Sequence, residues 1–161
     1  MNLKKLFEMQ KELDAFIQTT QGISRDVFQE KGLALLVELG ELANETRCFK
    51  FWSTKGPSMR AVILEEFVDS IHFMLSLGLE KELTAIEKWP VIEEKRDLTD
   101  LFLITQEAIL TFVRNATSDT YLAVWQCYGL IAYNLGFTFD DIVGAYLEKN
   151  EENYNRQRNG Y

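Results

Sequence analysis

The 161-residue chain has few residues of the kinds that mark several common classes of protein. It contains two cysteines, two prolines and one histidine. Neither Cys48 nor Cys127 belongs to a CxxC motif, so the sequence predicts no disulfide framework and no zinc ribbon. Basic residues are scarce too, since 17 Lys and Arg stand against 25 Asp and Glu, for a net charge of −8. We therefore expect no binding to polynucleotides or to an anionic membrane surface.

Long apolar runs are also absent from the sequence. No segment approaches the roughly 20 apolar residues that span a bilayer. Residues 1–16 mix acids and bases at helical spacing, unlike the apolar core of a signal peptide. We expect a cytoplasmic protein with reduced cysteines.

Helical periodicity is the main pattern in the chain, which is 47% hydrophobic. Apolar residues recur at the spacing of amphipathic helices, and no alternating run indicates a strand. We predict helices over about residues 3–18, 26–49, 58–77, 97–113, 120–135 and 138–158. Residues 1–161 are thus expected to form a single all-α domain, a bundle of five or six helices.

Residues at the ends of these segments support the prediction. Ser58 is expected to cap the third helix and Gly78 to close it. Asp97 or Thr99 is expected to cap the fourth helix. Thr138, followed three residues later by Asp, resembles a capping box that opens the last helix.

Two pairs of acids stand within apolar helical segments: Glu38 with Glu41, and Glu66 with Asp69. On a helix, residues three apart lie on the same face. Each pair is bordered by apolar side chains, and this arrangement is typical of acids that are at least partly buried.

The acid pairs have no nearby counter-charge in sequence, because no Lys or Arg occurs between residues 32 and 46 or between residues 61 and 80. Burying an unpaired carboxylate costs several kcal/mol, which a divalent cation offsets. An all-oxygen set of ligands favours Mg²⁺ over zinc. An acidic stripe facing solvent is the alternative, and generic acidic stripes usually face solvent.

A di-iron bundle would also use helical carboxylates, but it normally adds Glu-x-x-His pairs. His72 follows Asp69 by three residues, whereas Glu38 and Glu41 have no such partner. The residues therefore favour Mg²⁺ over a di-iron oxidase.

Three separated motifs resemble a known family. Glu38-x-x-Glu41 is followed after 25 residues by Glu66-x-x-Asp69, and the longer strings are ELGELANETRCFKFWS, LEEFVDSIHF and KNEENYNRQRNGY. These motifs resemble the all-α nucleoside triphosphate pyrophosphatases, which include the MazG proteins, and within them the dimeric dUTPases. The resemblance extends from Gln10 to the end of the chain.

The resemblance implies a homodimeric enzyme that hydrolyses the small molecules dUTP and dUDP to dUMP with Mg²⁺. Glu38, Glu41, Glu66 and Asp69 would hold the metal ions. Glu41 would accept a proton from the attacking water, and the β-phosphorus would be attacked.

The last helix carries the residues expected to bind the phosphates. Lys149, Asn153, Arg156 and Gln157 recur at positions i, i+4, i+7 and i+8, so they share one face. They also match the closing motif of the family, although a solvated helix end is the alternative from spacing alone. Lys55 is expected to reach a phosphate from its loop, or else to be a solvated lysine.

The residues expected to bind the base and sugar are spread over the chain. Trp52 offers a flat face for stacking, and Gln10 offers a donor and an acceptor to a uracil edge. The family pattern has Asn four residues after this Gln, where the present chain has Asp14. His72 and Phe73 match a His-Phe pair in the family, with a core Phe and a hydrogen-bonded His as the alternative.

Two other functions fit parts of this pattern. One is a MazG-like or dCTP-cleaving pyrophosphatase that keeps the metal site but accepts a different base. The other is a metal-stabilised helical interaction module in which the acids are purely structural.

Overall fold

Six α-helices build the structure, a computed structural model that describes residues 2–161. Within this range there is no β-strand, so the predicted all-α class is confirmed. None of the described helices has an apolar stretch long enough to cross a membrane. The helices are α1 (Leu3–Gln21), α2 (Phe28–Thr46), α3 (Arg60–Glu80), α4 (Leu98–Arg114), α5 (Ser118–Leu135) and α6 (Phe139–Arg158).

Helix α3 lies at the centre of the bundle. It packs against α1, α2 and α6, while α4 packs against both α2 and α5. Between Phe67 and Gly78 almost every residue of α3 is buried, which follows from the apolar composition of this segment. The second acid pair is thus carried by the most enclosed helix of the protein.

Aromatic side chains fill the core beside α3. The ring of Phe67 packs edge-on against Tyr128, with 5.7 Å between ring centroids. Trp89 comes from the irregular connection between α3 and α4, and its ring centroid lies 5.1 Å from that of Trp125. This connection is held in place by the core although it has no regular structure.

Side-chain caps begin three of the helices. Asp97 accepts a hydrogen bond from the backbone N–H of Asp100, and Thr138 and Asp141 form a reciprocal capping box, as predicted. A capping box at Thr117 was not predicted. Because of it, α5 begins at Ser118 rather than at residue 120.

The predicted C-terminal end of α2 and the predicted start of α3 were wrong. Helix α2 ends at Thr46 rather than at residue 49, because Arg47 adopts a left-handed conformation with φ of 58°. Helix α3 begins at Arg60 without a side-chain cap. Ser58 instead donates its hydroxyl to the side chain of Glu45 and its N–H to the Glu45 carbonyl oxygen, at 3.0 Å. This serine therefore joins the loop to α2.

Gly78 does not close α3, contrary to prediction, because the helix continues to Glu80. The glycine has a packing role instead. A Cβ atom at this position would lie 2.2 Å from the hydroxyl oxygen of Tyr121. The absence of a side chain thus allows α5 to approach α3 closely.

Candidate active site

The two acid pairs meet where α2 packs against α3. One carboxylate oxygen from each of Glu38, Glu66 and Asp69 lies within 4.8 Å of the others. These three side chains are partly buried, whereas Glu41 is exposed. Glu41 still lies close enough to contribute to the electrostatics of both Glu38 and Glu66. The fold thus gathers the acids that the sequence predicted as one site.

Burial and the neighbouring carboxylates disfavour the ionised forms of Glu38 and Glu66. Burial raises the pKa of Glu38 to about 8, with further contributions from the charges of Asp69, Glu41 and Glu66. Burial likewise raises the pKa of Glu66 to about 7, assisted by Asp69 and Glu41. A positive charge at the centre of this cluster would reverse both effects.

The cluster also has unused ligand atoms. Within residues 2–161, the Oε2 atoms of Glu38 and Glu66 are buried and have no hydrogen-bond partner. Buried polar atoms are nearly always paired, so two such oxygens on neighbouring acids of one cluster fit the ligand set of a divalent cation. The donor set is made only of carboxylates, which suits a hard ion such as Mg²⁺.

Lys149 supplies a counter-charge that was not expected from the sequence around the acids. Its Nζ lies 2.7 Å from Glu65, 3.3 Å from Asp69 and 3.2 Å from Glu152. Burial lowers the pKa of Lys149, but the three acids outweigh burial and raise it overall. They also hold its ammonium group at the edge of the acidic cluster. Its predicted binding of phosphate stays a prediction.

A cavity of about 370 Å³ opens beside the acidic cluster, between α1, α2, α3 and α6. Its lining includes four residues predicted to bind the base and sugar: Gln10, Asp14, His72 and Phe73. These residues come from α1 and α3, far apart in sequence. The contact between α1 and α3 brings them to one wall.

The same cavity is lined by three of the predicted phosphate ligands, Asn153, Arg156 and Gln157 on α6. Glu38 and Asp69 line it too. The cavity thus joins the acidic cluster to polar side chains at the end of the last helix. Such a combination of carboxylates and hydrogen-bonding groups around one space is the arrangement expected for a phosphorylated ligand with metal ions.

A buried hydrogen-bond network fixes Gln10. Its Nε2 donates to Oδ1 of Asp14 at 2.9 Å, and this donation sets the orientation of the amide because a carboxylate only accepts. Its Oε1 accepts from the hydroxyl of Tyr146 at 2.9 Å and from Nδ1 of His72 at 2.7 Å. The acceptor atom of Gln10 is thus already engaged, and one N–H remains free.

His72 is buried and stacks on Tyr146, with 4.2 Å between ring centroids and 17° between ring planes. Burial lowers its pKa to about 3, so the imidazole is neutral at physiological pH. The interpretation of His72 as a hydrogen-bonded group that supports Gln10 agrees with these contacts. Phe73 is half-buried and lines the cavity.

Asp14 lies between Ser76 and Lys31. The Ser76 hydroxyl donates to Oδ2 of Asp14 at 2.7 Å, and the Nζ of Lys31 is 4.0 Å from the same oxygen. Burial raises the pKa of Asp14, while Ser76, Lys31 and Gln10 oppose the rise.

Three of these residues were missed from the sequence: Lys31, Ser76 and Tyr146. Ser76 shares a polar stripe of α3 with His72, and this stripe was a usable signal. Tyr146 lies one turn before Lys149 on α6, but its apolar ring resembles a core residue. Lys31 precedes the stretch of α2 without basic residues and had no distinguishing signal.

Besides Lys149, two predicted substrate ligands lie outside the cavity lining. Trp52 and Lys55 belong to the loop between α2 and α3, and neither lines the cavity in the part of the chain that the structure describes. Trp52 is 65% exposed and contacts Phe49 and Phe51 edge-on. Their roles in stacking on the base and in binding a phosphate remain predictions.

Comparison with known families identifies the family to which the chain belongs. The model of a family described as dUTPase matches residues 2–161 of the chain. The matched range contains the acidic cluster, the cavity and every residue predicted for the site. No curated protein matches the chain.

Proposed function

The chain belongs to the family of dimeric, all-α dUTPases, and on this premise we propose that it converts dUTP and dUDP to dUMP with Mg²⁺. Hydrolysis of dUTP is the activity of the family, so the chain is a dUTP diphosphatase rather than a purely structural interaction module. The observation that best supports Mg²⁺ is the pair of buried, unpartnered oxygens on Glu38 and Glu66 beside the cavity.

Glu38, Glu41, Glu66 and Asp69 are the proposed ligands of the metal. When bound, a divalent cation activates water and neutralises charge on phosphate oxygens. The residues themselves are suited to a cation because the pKa values of Glu38 and Glu66 are raised in its absence. Glu38, Glu66 and Asp69 already lie close enough together to share one ion.

Glu41 is the proposed acceptor of the proton from the attacking water. It is exposed while Glu38 and Glu66 are partly buried, so it is the most accessible of the three glutamates. Proton transfer to a positioned carboxylate typically contributes about 10²- to 10⁴-fold in rate.

The cavity face of α6 is proposed to bind the phosphates through Asn153, Arg156 and Gln157. The Arg156 guanidinium is paired with Glu152 at 2.5 Å and still has further N–H groups available. Lys149 is proposed to assist from the edge of the acidic cluster, where it balances the charge of Asp69.

The position of attack can be tested with ¹⁸O-labelled water. If the β-phosphorus is attacked, the label enters the pyrophosphate released from dUTP and the phosphate released from dUDP, and dUMP stays unlabelled. Label in dUMP would show attack at the α-phosphorus and contradict this part of the proposal. Mass spectrometry of the separated products distinguishes the two results.

We also propose a homodimer. Supporting this proposal, exposed apolar side chains lie on two helices that pack side by side, Leu33 and Val37 on α2 and Leu103 and Leu110 on α4. An exposed apolar surface is typical of an interface. Light scattering should give twice the chain mass for the wild type, and Leu33→Glu with Leu103→Glu should give a monomer. A wild-type monomer would contradict the proposal.

We propose that the enzyme acts in the cytoplasm. Both Cys48 and Cys127 are free thiols in the structure, as is usual for proteins of a reducing compartment. Fractionation of cells that produce the protein from its own gene would test this location.

A further inference from the structure

We propose that Lys31 binds the edge of the uracil base together with Asp14, and that this pair of side chains selects uracil over cytosine. The inference rests on the proposed function, because it takes a deoxyuridine nucleotide as the ligand of the cavity. It assigns a role in specificity to a lysine on α2 that precedes the acidic cluster.

Lys31 lines the same cavity as Glu38 and Asp69 but lies at a distance from these carboxylates. It precedes Glu38 by seven residues, so both side chains project from one face of α2 about 10 Å apart along the helix. On α3, Ser76 follows Asp69 by the same number of residues. Two helices therefore place the Lys31 end two turns away from the carboxylates. If the phosphates lie at the carboxylates, the base lies near Lys31.

The apolar part of the cavity wall suits a flat heterocycle. Ile17, Ile23 and Val27 line the same cavity as Lys31, together with the half-buried Phe73. Apolar side chains around a few polar groups are the usual composition of a site for an uncharged ring.

Three polar groups line the cavity as an ordered set: the Gln10 amide, the Asp14 carboxylate and the Lys31 ammonium. Gln10 donates to one oxygen of Asp14 and keeps one free N–H. Lys31 lies 4.0 Å from the other oxygen. The set therefore runs donor, acceptor, donor.

Each member of the set retains hydrogen-bonding capacity. The Lys31 ammonium has three N–H groups, and within residues 2–161 its one close hydrogen bond is to Glu80 at 2.6 Å. Oδ1 of Asp14 accepts a hydrogen bond from Gln10, and Oδ2 accepts one from Ser76. Each of these carboxylate oxygens can accept another hydrogen bond. Because Ser76 and Gln10 both donate to it, Asp14 acts as an acceptor.

The order of these groups is complementary to uracil. The edge of uracil presents a carbonyl oxygen, the N3–H group and a second carbonyl oxygen, which are acceptor, donor and acceptor. Asp14 can accept from N3–H, while Lys31 and Gln10 donate to the carbonyl oxygens on either side.

Cytosine is not complementary to the same groups. It presents an unprotonated N3 towards the Asp14 carboxylate and an exocyclic amino group in place of one carbonyl oxygen. Two acceptors then face each other, and a donor faces the Lys31 ammonium when the ring lies in the same orientation. Unpaired buried polar groups are a strong basis for rejecting the wrong ligand. Thymine shares the edge of uracil, so this set does not distinguish the two.

A purely structural role for Lys31 would act through Glu80, since their ion pair joins α2 to the end of α3. Glu80→Gln removes this ion pair and leaves the ammonium in the cavity. Lys31→Met removes the ammonium and keeps most of the apolar stem. Comparing the two variants separates binding of the base from packing of the helices.

The test measures kcat/KM for dUTP and dCTP and, by calorimetry, the affinity for dUMP and dCMP. We expect Lys31→Met to lower both dUTP efficiency and dUMP affinity about 10- to 100-fold, with little change for the cytosine nucleotides. Glu80→Gln should keep the wild-type preference. Lys31→Met combined with Asp14→Asn should recover part of it, because one amide offers both an acceptor and a donor.

The inference is overturned if Lys31→Met keeps the wild-type preference, if Glu80→Gln loses as much of it, or if the double variant recovers none. A wild type that binds dUMP over dCMP through Lys31 but leaves dUTP uncleaved would support the inference and contradict the proposed function. Cleavage of dUTP by the wild type, with no effect of Lys31→Met on the preference, would support the proposed function and contradict the inference. A wild type that binds neither monophosphate overturns the inference.

Discussion

The Nζ of Lys149 lies 3.3 Å from Oδ1 of Asp69 and connects α6 to the acidic cluster of α3. The lysine side chain is only 7% exposed, and two further acids, Glu65 and Glu152, contact the same nitrogen. Glu38 and Glu66 form no ion pair within residues 2–161. Within the cluster, the charge of Asp69 is therefore compensated by Lys149, whereas Glu38 and Glu66 are available to a cation.

Lys149→Met should destabilise the metal-free protein by about 2–3 kcal/mol, because removing one partner of a buried ion pair leaves the other charges uncompensated. Mg²⁺ should recover part of this loss by supplying positive charge near Asp69. Urea unfolding with and without Mg²⁺ measures both effects. Lys95→Met, at an exposed position, is the matched control. Equal stability of Lys149→Met and wild type would contradict the structural role of these contacts.

Without metal, the protein should lose stability as the pH rises from about 6.5 to 8. The pKa values of Glu38 and Glu66 rise from 4.5 to about 8 and about 7 on folding, so the native state holds protons that the unfolded state has released. Stability falls with pH wherever the native state binds more protons. Below pH 6.5 His72 acts in the opposite direction, since burial lowers its pKa to about 3 and only the unfolded state gains its proton.

Melting temperatures across this pH range provide the measurement. The double variant Glu38→Gln, Glu66→Gln should have a flatter profile, and saturating Mg²⁺ should raise the wild-type melting temperature most at high pH, because binding displaces protons. A wild-type melting temperature that does not respond to Mg²⁺ at any pH would be inconsistent with a metal site.

Glu41→Gln should lower kcat about 10²- to 10⁴-fold, the usual contribution of a general base. The side chain is exposed, so the melting temperature should stay close to that of the wild type. Glu107→Gln, an exposed glutamate on α4, controls for loss of one charge. Circular dichroism verifies folding alongside the assay. Full activity in Glu41→Gln would remove this residue from the mechanism.

Gly78→Ala should destabilise the protein by about 1–3 kcal/mol, as expected for overpacking of a core. The added Cβ would meet the Tyr121 hydroxyl, which donates to the carbonyl oxygen of Met74 at 2.6 Å. Gly144→Ala on α6 is the opposite case, since within residues 2–161 no atom outside its own stretch of helix lies within 4 Å of the Cβ position. It should stabilise the helix by about 0.5–1 kcal/mol. Denaturant unfolding of both variants gives the comparison, and a stabilised Gly78→Ala would show that α5 is not closely packed there.

Sequence periodicity was sufficient to predict the all-α fold and a bundle of five or six helices, and residues 2–161 contain six. The capping signals at Asp97 and Thr138 were read correctly because they depend on residues three apart. Ser58 and Gly78 were misread because their contacts, with Glu45 and Tyr121, are made across the fold. A local pattern contains no information about these distant partners.

In the candidate site too, local spacing could be predicted from the sequence, whereas contacts across the fold could not. Glu38 and Glu66 could be identified from spacing within α2 and α3, since each helix places its acids on one face. Lys149 was predicted as a phosphate ligand from its position on α6, yet its contact with Asp69 depends on how α6 packs against α3. Lys31 had no signal in sequence, because its importance comes from the cavity that four helices enclose.

The preference of the purified protein among nucleotides tests the central claim most directly. The measurement is kcat/KM for dUTP, dTTP, dCTP and UTP with Mg²⁺. Release of pyrophosphate is the signal that is monitored, and EDTA provides the metal-free control. We expect dUTP to be hydrolysed far more efficiently than the other three, and EDTA to abolish the reaction. Equal or faster hydrolysis of dCTP, dTTP or UTP, or full activity in EDTA, would contradict the proposed Mg²⁺-dependent, uracil-specific enzyme.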